Sequence, residues 1–156
     1  MGVRLRIVMG LVAGLFLAGC SADYGVDQHG QKVTAASMDG QWLVINYWAE
    51  WCAPCRKEIP ELNRLAEEGK TQGFRVLGVN FDGLRDAELA KAAQALEVQY
   101  TVLADDPAPH YSLPRSEALP VTYIVDPEGK LREQLLGEQT AAGLQARLTT
   151  LREEKH

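Results

Sequence analysis

Downstream of residue 40 the chain alternates between short continuous apolar runs and longer segments in which apolar residues recur every three or four positions. Continuous runs of this length predict buried strands, whereas the wider spacing predicts helices with one apolar face. The predicted strands cover residues 42–48, 74–81, 98–103, 120–125 and 131–136. Helices are predicted from about residue 53, from Asp86 to Leu96, and after Thr140, which gives the order β, α, β, α, β, β, α.

The last two predicted strands join across Asp126-Pro127-Glu128-Gly129, a sequence typical of a tight turn. Strands that alternate with helices indicate a layered α/β fold. The predicted fold is therefore a central mixed β-sheet flanked by helices, with a C-terminal β-hairpin and a closing helix. Residues 21–40 follow neither period, and we expect a tether and then a short edge strand or loop there.

The N-terminus has the pattern of a secretory signal rather than of a folded segment. Arg4 and Arg6 precede an apolar run over residues 7–17, which is shorter than the ~20 residues of a membrane span. The run ends in Leu-Ala-Gly-Cys20, which resembles the bacterial lipobox, whose cysteine is acylated and becomes the first mature residue. We therefore expect a lipoprotein signal peptide over residues 1–19, a lipidated tether over 20–34 and one domain over 35–156.

Length and charge narrow the class of protein. A chain of 156 residues predicts one domain with a sizeable core, and a formal charge of −5 with no basic cluster excludes a strong case for nucleic-acid binding. We expect a monomer. An extracytoplasmic compartment is oxidising, so a cysteine pair there rests as a disulfide unless a dedicated thiol donor reduces it.

The candidate chemistry lies in Trp51-Cys52-Ala53-Pro54-Cys55, where the first apolar run ends and the first helix begins. Backbone amides at a helix N-terminus carry partial positive charge, which favours a thiolate on Cys52. Pro54 suits the first helical turn, where its missing N–H has no cost. Cys55 lies three residues on, close enough to form or resolve a disulfide with Cys52, so the motif predicts a redox-active dithiol.

A metal half-site is the main alternative for a Cys-x-x-Cys pair. A zinc site needs four ligands, but the sequence has no second cysteine pair, and His29, His110 and His156 show no ligand spacing. We therefore predict no metal and no cofactor other than the dithiol.

Resemblance to a known family extends this interpretation. The segment WAEWCAPC followed by Pro60, the run LPVTYIVDPEGK and the closing amphipathic helix resemble the thioredoxin fold, and more narrowly the TlpA/ResA-like membrane-tethered thiol-disulfide oxidoreductases. The resemblance covers roughly residues 35–153. It implies that Cys52 attacks a substrate disulfide and that Cys55 resolves the mixed disulfide.

Glu58 is the third candidate catalytic residue. On a helical wheel it lies with Cys55 and the apolar residues, the one charged side chain on that side of the helix. A partly buried carboxyl there has a raised pKa and can exchange protons with Cys55, unless Glu58 bends out to solvent or pairs with an arginine. In the family, a glutamate at this place is the usual acidic partner, whereas Asn46 stands where ordinary thioredoxins have an aspartate.

Four further residues are candidates for substrate binding. Trp51 is expected to be exposed beside Cys52 as a flat apolar contact, next to Pro54 in the motif. The resemblance implies a cis peptide bond between Leu119 and Pro120, facing the dithiol, with the Leu119 backbone free to pair with an extended substrate. His110 and Tyr111 lie on a proline-rich loop that is either solvated or part of a recognition surface.

Residues near the dithiol predict the direction of electron flow, and the residue after Cys20 predicts the membrane. Glu50 and Glu58 disfavour a thiolate, and Ala53-Pro54 offers no histidine to stabilise one, so we expect a thioredoxin-like potential near about −270 mV and a reductase. Its partners would be an inner-membrane thiol donor and a periplasmic client such as apocytochrome c, in cytochrome c biogenesis, or a copper-site protein. Ser21 after the lipidated cysteine favours the outer membrane over the inner.

Two other functions on the same fold are alternatives to the oxidoreductase interpretation. A copper-binding assembly factor would hold a metal ion between Cys52, Cys55 and a histidine such as His110. A peroxidase would need a Thr-x-x-Cys arrangement, which is absent because Ala49 stands three residues before Cys52.

Overall fold

The structure is a computed structural model that describes residues 23–154. Two sheets contain the strands β1 (Asp23–Val26), β2 (Lys32–Thr34), β3 (Trp42–Trp48), β4 (Phe74–Asn80), β5 (Thr101–Leu103), β6 (Val121–Val125) and β7 (Leu131–Leu136). The helices are α1 (Ala53–Gln72), α2 (Asp86–Ala95), α3 (Ala108–Tyr111) and α4 (Ala141–Glu153), with a short 3-10 turn at Ala35–Ser37. The predicted α/β fold with a C-terminal hairpin and helix is confirmed.

The main sheet is mixed and has the strand order β5-β4-β3-β6-β7. The strands β3, β4 and β5 run parallel to one another, while β6 is antiparallel to both β3 and β7. Parallel neighbours need long crossovers, and α1 and α2 supply them. All seven residues of β3 are buried because this strand lies at the centre of the sheet and is covered on both faces.

Side chains of β3 alternate between two cores. Leu43, Ile45 and Tyr47 pack on one face with residues of β1, β2 and the segment around α3. Val44 packs on the opposite face with apolar residues of α1 and α4. Trp48, at the end of the strand, packs with α2 and with both cysteines of the motif. The dithiol therefore sits at the carboxyl end of the central strand.

Helix boundaries follow ordinary capping rules. Thr140 caps α4 as predicted, because its hydroxyl accepts a hydrogen bond from the Gly143 amide at 3.1 Å. The long helix α1 ends at Gly73, whose φ of 72° lies in the left-handed region that glycine adopts without strain.

The segment expected to be a tether differs most from expectation. Residues 23–34 form the antiparallel hairpin β1–β2, and its apolar Tyr24 and Val33 are buried. The Gln28 side chain donates to the Tyr100 carbonyl at 2.9 Å and accepts from the Val102 amide at 2.7 Å, which fixes the hairpin against β5. The physical reason is edge protection, since β5 would otherwise leave unpaired backbone groups at the end of the sheet.

The predicted signal peptide over residues 1–19 and Cys20 lie outside the described residues. Within residues 23–154, none of the helices combines the length and the apolar character that crossing a bilayer requires.

Candidate active site

Cys52 and Cys55 form a disulfide at the N-terminus of α1, with their Cα atoms 5.3 Å apart. Cys52 is the residue that precedes the helix, and its Sγ accepts a hydrogen bond from the Cys55 amide at 3.3 Å. An amide at this end of a helix carries partial positive charge and therefore stabilises negative charge on that sulfur. Cys52 is 5% exposed and Cys55 is fully buried, so the first sulfur is the accessible one.

Trp51 forms an exposed wall next to the dithiol. Its side chain is 63% exposed, yet the indole N–H donates to the Asp82 carboxylate at 3.0 Å and the ring meets Phe81 edge-on at a centroid distance of 6.4 Å. Because these contacts already fix the orientation of the Trp51 ring, binding of a substrate against it costs less side-chain entropy. Pro54 lies in the first turn of α1, where sequence reasoning expected it.

The loop before β6 also reaches the dithiol. The Leu119–Pro120 peptide bond is cis, the isomer implied by the resemblance. Leu119 packs against the cluster that contains Cys52 and Cys55, and Pro120 is buried. This loop therefore packs beside the disulfide, which Trp51 directly precedes in the chain.

Glu58 is fully buried, and its carboxylate has two hydrogen-bond partners. One oxygen accepts from Asn46 Nδ2 at 2.5 Å, and the other accepts from the Gln139 backbone amide at 2.9 Å. The alternatives in which Glu58 reaches solvent or pairs with an arginine are therefore wrong. Residues three apart on a helix lie on the same face, which places Glu58 one turn below Cys55 inside the protein.

Burial dominates the electrostatics of Glu58. Removal from water raises the pKa of this carboxyl to about 7, although the hydrogen bonds from Gln139 and Asn46 act in the opposite direction. A carboxyl that titrates near neutral pH can both accept and return a proton under physiological conditions. Geometry and proton affinity together make Glu58 suitable for proton exchange with the buried sulfur.

Three residues around Glu58 were missed by sequence reasoning. Thr122 on β6 accepts a hydrogen bond from Asn46 Nδ2 at 3.1 Å, and Gln139 lies 81 residues from Glu58 along the chain. Tyr100 is buried close to Glu58, whose charge contributes to raising the pKa of the Tyr100 phenol after the larger effect of burial. Long-range contacts of this kind leave no periodic signal, although Asn46 within an apolar strand does indicate a buried polar partner.

The structure does not bring a histidine to the dithiol. His110 lines a cavity with Gln41 and Asp126 at the start of β3, whereas Cys52 follows the other end of that strand, roughly 20 Å away along seven residues. Within residues 23–154, no group of three or more His, Cys, Asp or Glu side chains is arranged to hold a metal ion. The copper arrangement considered above is therefore not assembled around His110.

Comparisons with known proteins agree with this geometry. The sequence profile of the AhpC/TSA family matches residues 19–134. The thiol-disulfide oxidoreductase ResA of Bacillus anthracis is 28% identical over 122 residues, which cover 78% of this chain and 70% of the relative. ResA of Bacillus subtilis is 26% identical over 114 residues, covering 73% of this chain and 63% of the relative.

Solved structures support the same fold. A thiol:disulfide interchange protein of the thioredoxin family from Chlorobium tepidum superposes with a TM-score of 0.69 at 21% identity, covering 83% of this chain and 92% of that one. The exposed lipoprotein thioredoxin Etrx1 of Streptococcus pneumoniae gives a TM-score of 0.66 at 22% identity, covering 83% and 99%. With the disulfide at the helix N-terminus, these matches lead to one conclusion: the chain belongs to the AhpC/TSA family of thioredoxin-fold proteins and is a thiol-disulfide oxidoreductase similar to ResA.

Proposed function

We propose that this oxidoreductase is a lipid-anchored reductase of protein disulfides outside the cytoplasm, with Cys52 as nucleophile and Cys55 as resolving thiol. The observation that carries the proposal is the hydrogen bond from the Cys55 amide to Cys52 Sγ at the start of α1. It supports a role for Cys52 as the thiolate, because the same amide stabilises the charge that the attacking sulfur must carry.

The electrons balance in two exchange steps. The Cys52 thiolate attacks one sulfur of the client disulfide, and the other client sulfur leaves as a thiolate. Cys55 then attacks Cys52 Sγ, which forms the Cys52–Cys55 disulfide and releases the second client thiol. Glu58 takes the proton of Cys55 in this step, since it lies one turn away on the buried side of α1. A thiol donor must reduce the resulting disulfide before the next cycle.

The charges around the dithiol favour a low potential. Glu58 ionises in a buried site and therefore disfavours a nearby thiolate, which destabilises the reduced form. The positive charge of Arg56 favours a nearby thiolate and therefore raises the potential. Its exposed guanidinium is held beside the motif because it donates a hydrogen bond to the Glu50 carbonyl. Solvent screens an exposed charge more than a buried one, so the contribution of Glu58 is the larger.

We expect a midpoint potential near about −270 mV, in the range of reducing thioredoxins. The measurement is equilibration of the full-length protein with graded glutathione and dithiothreitol buffers, followed by alkylation and mass spectrometry of the free thiols. The potential of Glu58→Gln is expected to be more positive above neutral pH, whereas that of the matched Glu61→Gln variant is unchanged. A wild-type value more positive than about −180 mV would identify an oxidant or isomerase and contradict the proposal.

The lipid anchor is proposed at Cys20, which ends the Leu-Ala-Gly-Cys sequence after the signal peptide. The description of Etrx1 as an exposed lipoprotein thioredoxin supports this location for a protein of similar fold. Replacement of Cys20 by alanine is expected to move the protein from the membrane fraction to the soluble envelope fraction. Retention of Cys20→Ala in detergent-extractable membranes at the wild-type level would contradict lipid anchoring.

The client is a disulfide-containing protein of the envelope, for which apocytochrome c and copper-site proteins are the candidates, and the donor is an inner-membrane thiol protein. Ser21 favours the outer membrane. Isolation of the mixed disulfide formed by Cys55→Ser in envelope preparations identifies the client directly.

A further inference from the structure

Exposed large apolar side chains concentrate at the dithiol end of the sheet. Within residues 23–154 they are Trp51, Phe81 and Leu136, with 63%, 38% and 60% of their surface exposed. Trp51 precedes Cys52, Phe81 follows the strand parallel to β3, and Leu136 is paired with the first residue of β6. Apolar side chains are therefore exposed to water at the same end of the sheet as the disulfide, as expected where a polypeptide docks.

A cleft of about 540 Å³ opens beside Phe81 at the same end of the sheet. Its apolar wall comes from the face of β3 and β6 that carries Tyr47, Val121 and Tyr123, and from Leu113 in the loop after α3. Volumes of this size accommodate a bulky side chain together with part of its backbone. The reaction steps described above use none of these residues.

The tyrosines of this cleft are fixed by the protein itself. The Tyr47 hydroxyl donates to Asp106 Oδ1 at 2.5 Å and the Tyr123 hydroxyl donates to the Pro114 carbonyl at 2.5 Å. The two rings meet edge-on with centroids 5.6 Å apart. Since both hydroxyl hydrogens are already used, the two tyrosines offer ring faces rather than donors, and the chemistry that fits those faces is an apolar side chain.

Arg115 provides a charge at the rim. It lines the cleft, is exposed, and makes no hydrogen bond or ion pair with other residues in the described part of the chain. An available guanidinium beside an apolar cleft favours an occupant that carries an acidic group next to its apolar one.

We propose that this cleft is the recognition site for the client polypeptide, taking a bulky apolar side chain while an adjacent acidic residue of the client pairs with Arg115. The inference rests on the proposed function and specifies its substrate class. Phe81 is shared by the cleft and by the contact with Trp51, where the centroids are 6.4 Å apart. The Trp51–Phe81 pair separates Cys52 from the cleft, and an extended chain advances about 3.3 Å per residue, so the apolar residue lies a few positions from the client cysteine.

The test uses reduced full-length protein and synthetic peptides whose single cysteine is linked to thionitrobenzoate. Attack of Cys52 on the peptide sulfur releases coloured thionitrobenzoate, which gives the rate constant directly. Phenylalanine or serine is placed at successive positions on either side of the cysteine, with glutamate or lysine beside it. Each rate is divided by the rate of the same protein with the small disulfide dithionitrobenzoate, so that changes in intrinsic thiol reactivity cancel.

The Phe-Glu peptide is expected to react about tenfold faster than its serine counterpart when the phenylalanine lies at the position that reaches the cleft, because burial of one such side chain supplies that difference. Ser116→Trp, which fills the cleft from its rim, should abolish the preference for phenylalanine. Arg115→Glu should reverse the preference between glutamate and lysine. Thr149→Trp, on the exposed face of α4, serves as the matched control and should retain both preferences.

Equal normalised rates for all peptides would overturn the proposed recognition site while leaving the reductase intact. A phenylalanine preference that persists in Ser116→Trp would also overturn it, since the contact would then lie outside the cleft. Failure of the wild-type protein to reduce even dithionitrobenzoate would instead refute the proposed function.

Discussion

Replacement of Cys55 by serine is expected to leave the client covalently attached to Cys52 and to abolish multiple turnover. The accessible Cys52 sulfur keeps its place before the helix and can still attack a client disulfide. A serine hydroxyl cannot attack the resulting mixed disulfide, so the reaction stops after one stoichiometric step. Non-reducing mass spectrometry measures the adduct, and a reductant should release the client at its unmodified mass.

The Cys52→Ser variant is the control that assigns the roles of the two sulfurs. It should form no adduct under the same conditions, because the remaining sulfur is fully buried. Adducts of equal yield in both variants would show that either cysteine attacks, and would contradict the assignment of Cys52 as the nucleophile.

Replacement of Glu58 by glutamine is expected to slow the resolving step about 100-fold at neutral pH, the range associated with loss of a general base. Glutamine can keep both hydrogen bonds. Its amide oxygen can accept from the Gln139 amide, and its NH₂ group can donate to Asn46 Oδ1, which lacks a partner in the described network. A rotation of the Asn46 amide is sufficient, so the variant removes the titrating proton with little other change.

The pH profile distinguishes proton transfer from a structural role. The wild-type resolving step should accelerate as Glu58 ionises near its pKa of about 7. In Glu58→Gln this inflection should disappear, leaving only the ionisation of the thiol at higher pH. Single-turnover decay of the mixed disulfide gives the rate, and Glu61→Gln, one turn further along α1 but outside its apolar face, is the control. An unchanged inflection in Glu58→Gln would contradict the assignment.

The same raised pKa predicts how the stability of the oxidised protein depends on pH. The folded state keeps the Glu58 proton up to a pKa of about 7, whereas the unfolded chain loses it near 4.5. The contribution of this group to stability is therefore full below pH 4.5 and falls as the pH rises through that window, by about 3 kcal/mol in total. Urea unfolding of wild type and Glu58→Gln at several pH values isolates the contribution of Glu58. If the free energy of unfolding depended on pH in the same way in both proteins, the assignment of a buried carboxyl with a raised pKa would be contradicted.

The chemistry of the site could be predicted from sequence because it depends on neighbouring residues. The strand predicted over residues 42–48 has the same first and last residues as β3 in the structure. Two cysteines three residues apart at the start of a helix are close enough to form a disulfide there. Glu58 was identifiable since helical periodicity alone places it on the apolar side. These inferences require only contacts within about one helical turn.

The hairpin at residues 23–34 and the cleft beside Phe81 were not predicted, because their contacts join distant parts of the chain. Gln28 meets Val102 across 74 residues, and Tyr47 meets Asp106 across 59. From sequence alone, a glutamine or aspartate in a loop is expected to be solvated, because its distant hydrogen-bond partner is not known. The apolar Tyr24 and Val33 were the signal that this segment packs on the domain.

Under the proposed lipid anchor at Cys20, the hairpin β1–β2 would limit how far the protein can work from a membrane. With Asp23 fixed in the hairpin, a lipid on Cys20 is separated from the folded body by three steps along the backbone, at most about 10 Å. Under the proposed anchor, the folded body would therefore stay close to the bilayer that holds the lipid. An inner-membrane donor would reach such a protein directly only if Cys20 anchors it in the same membrane, whereas the outer-membrane location favoured by Ser21 would require electrons to be carried across the periplasm.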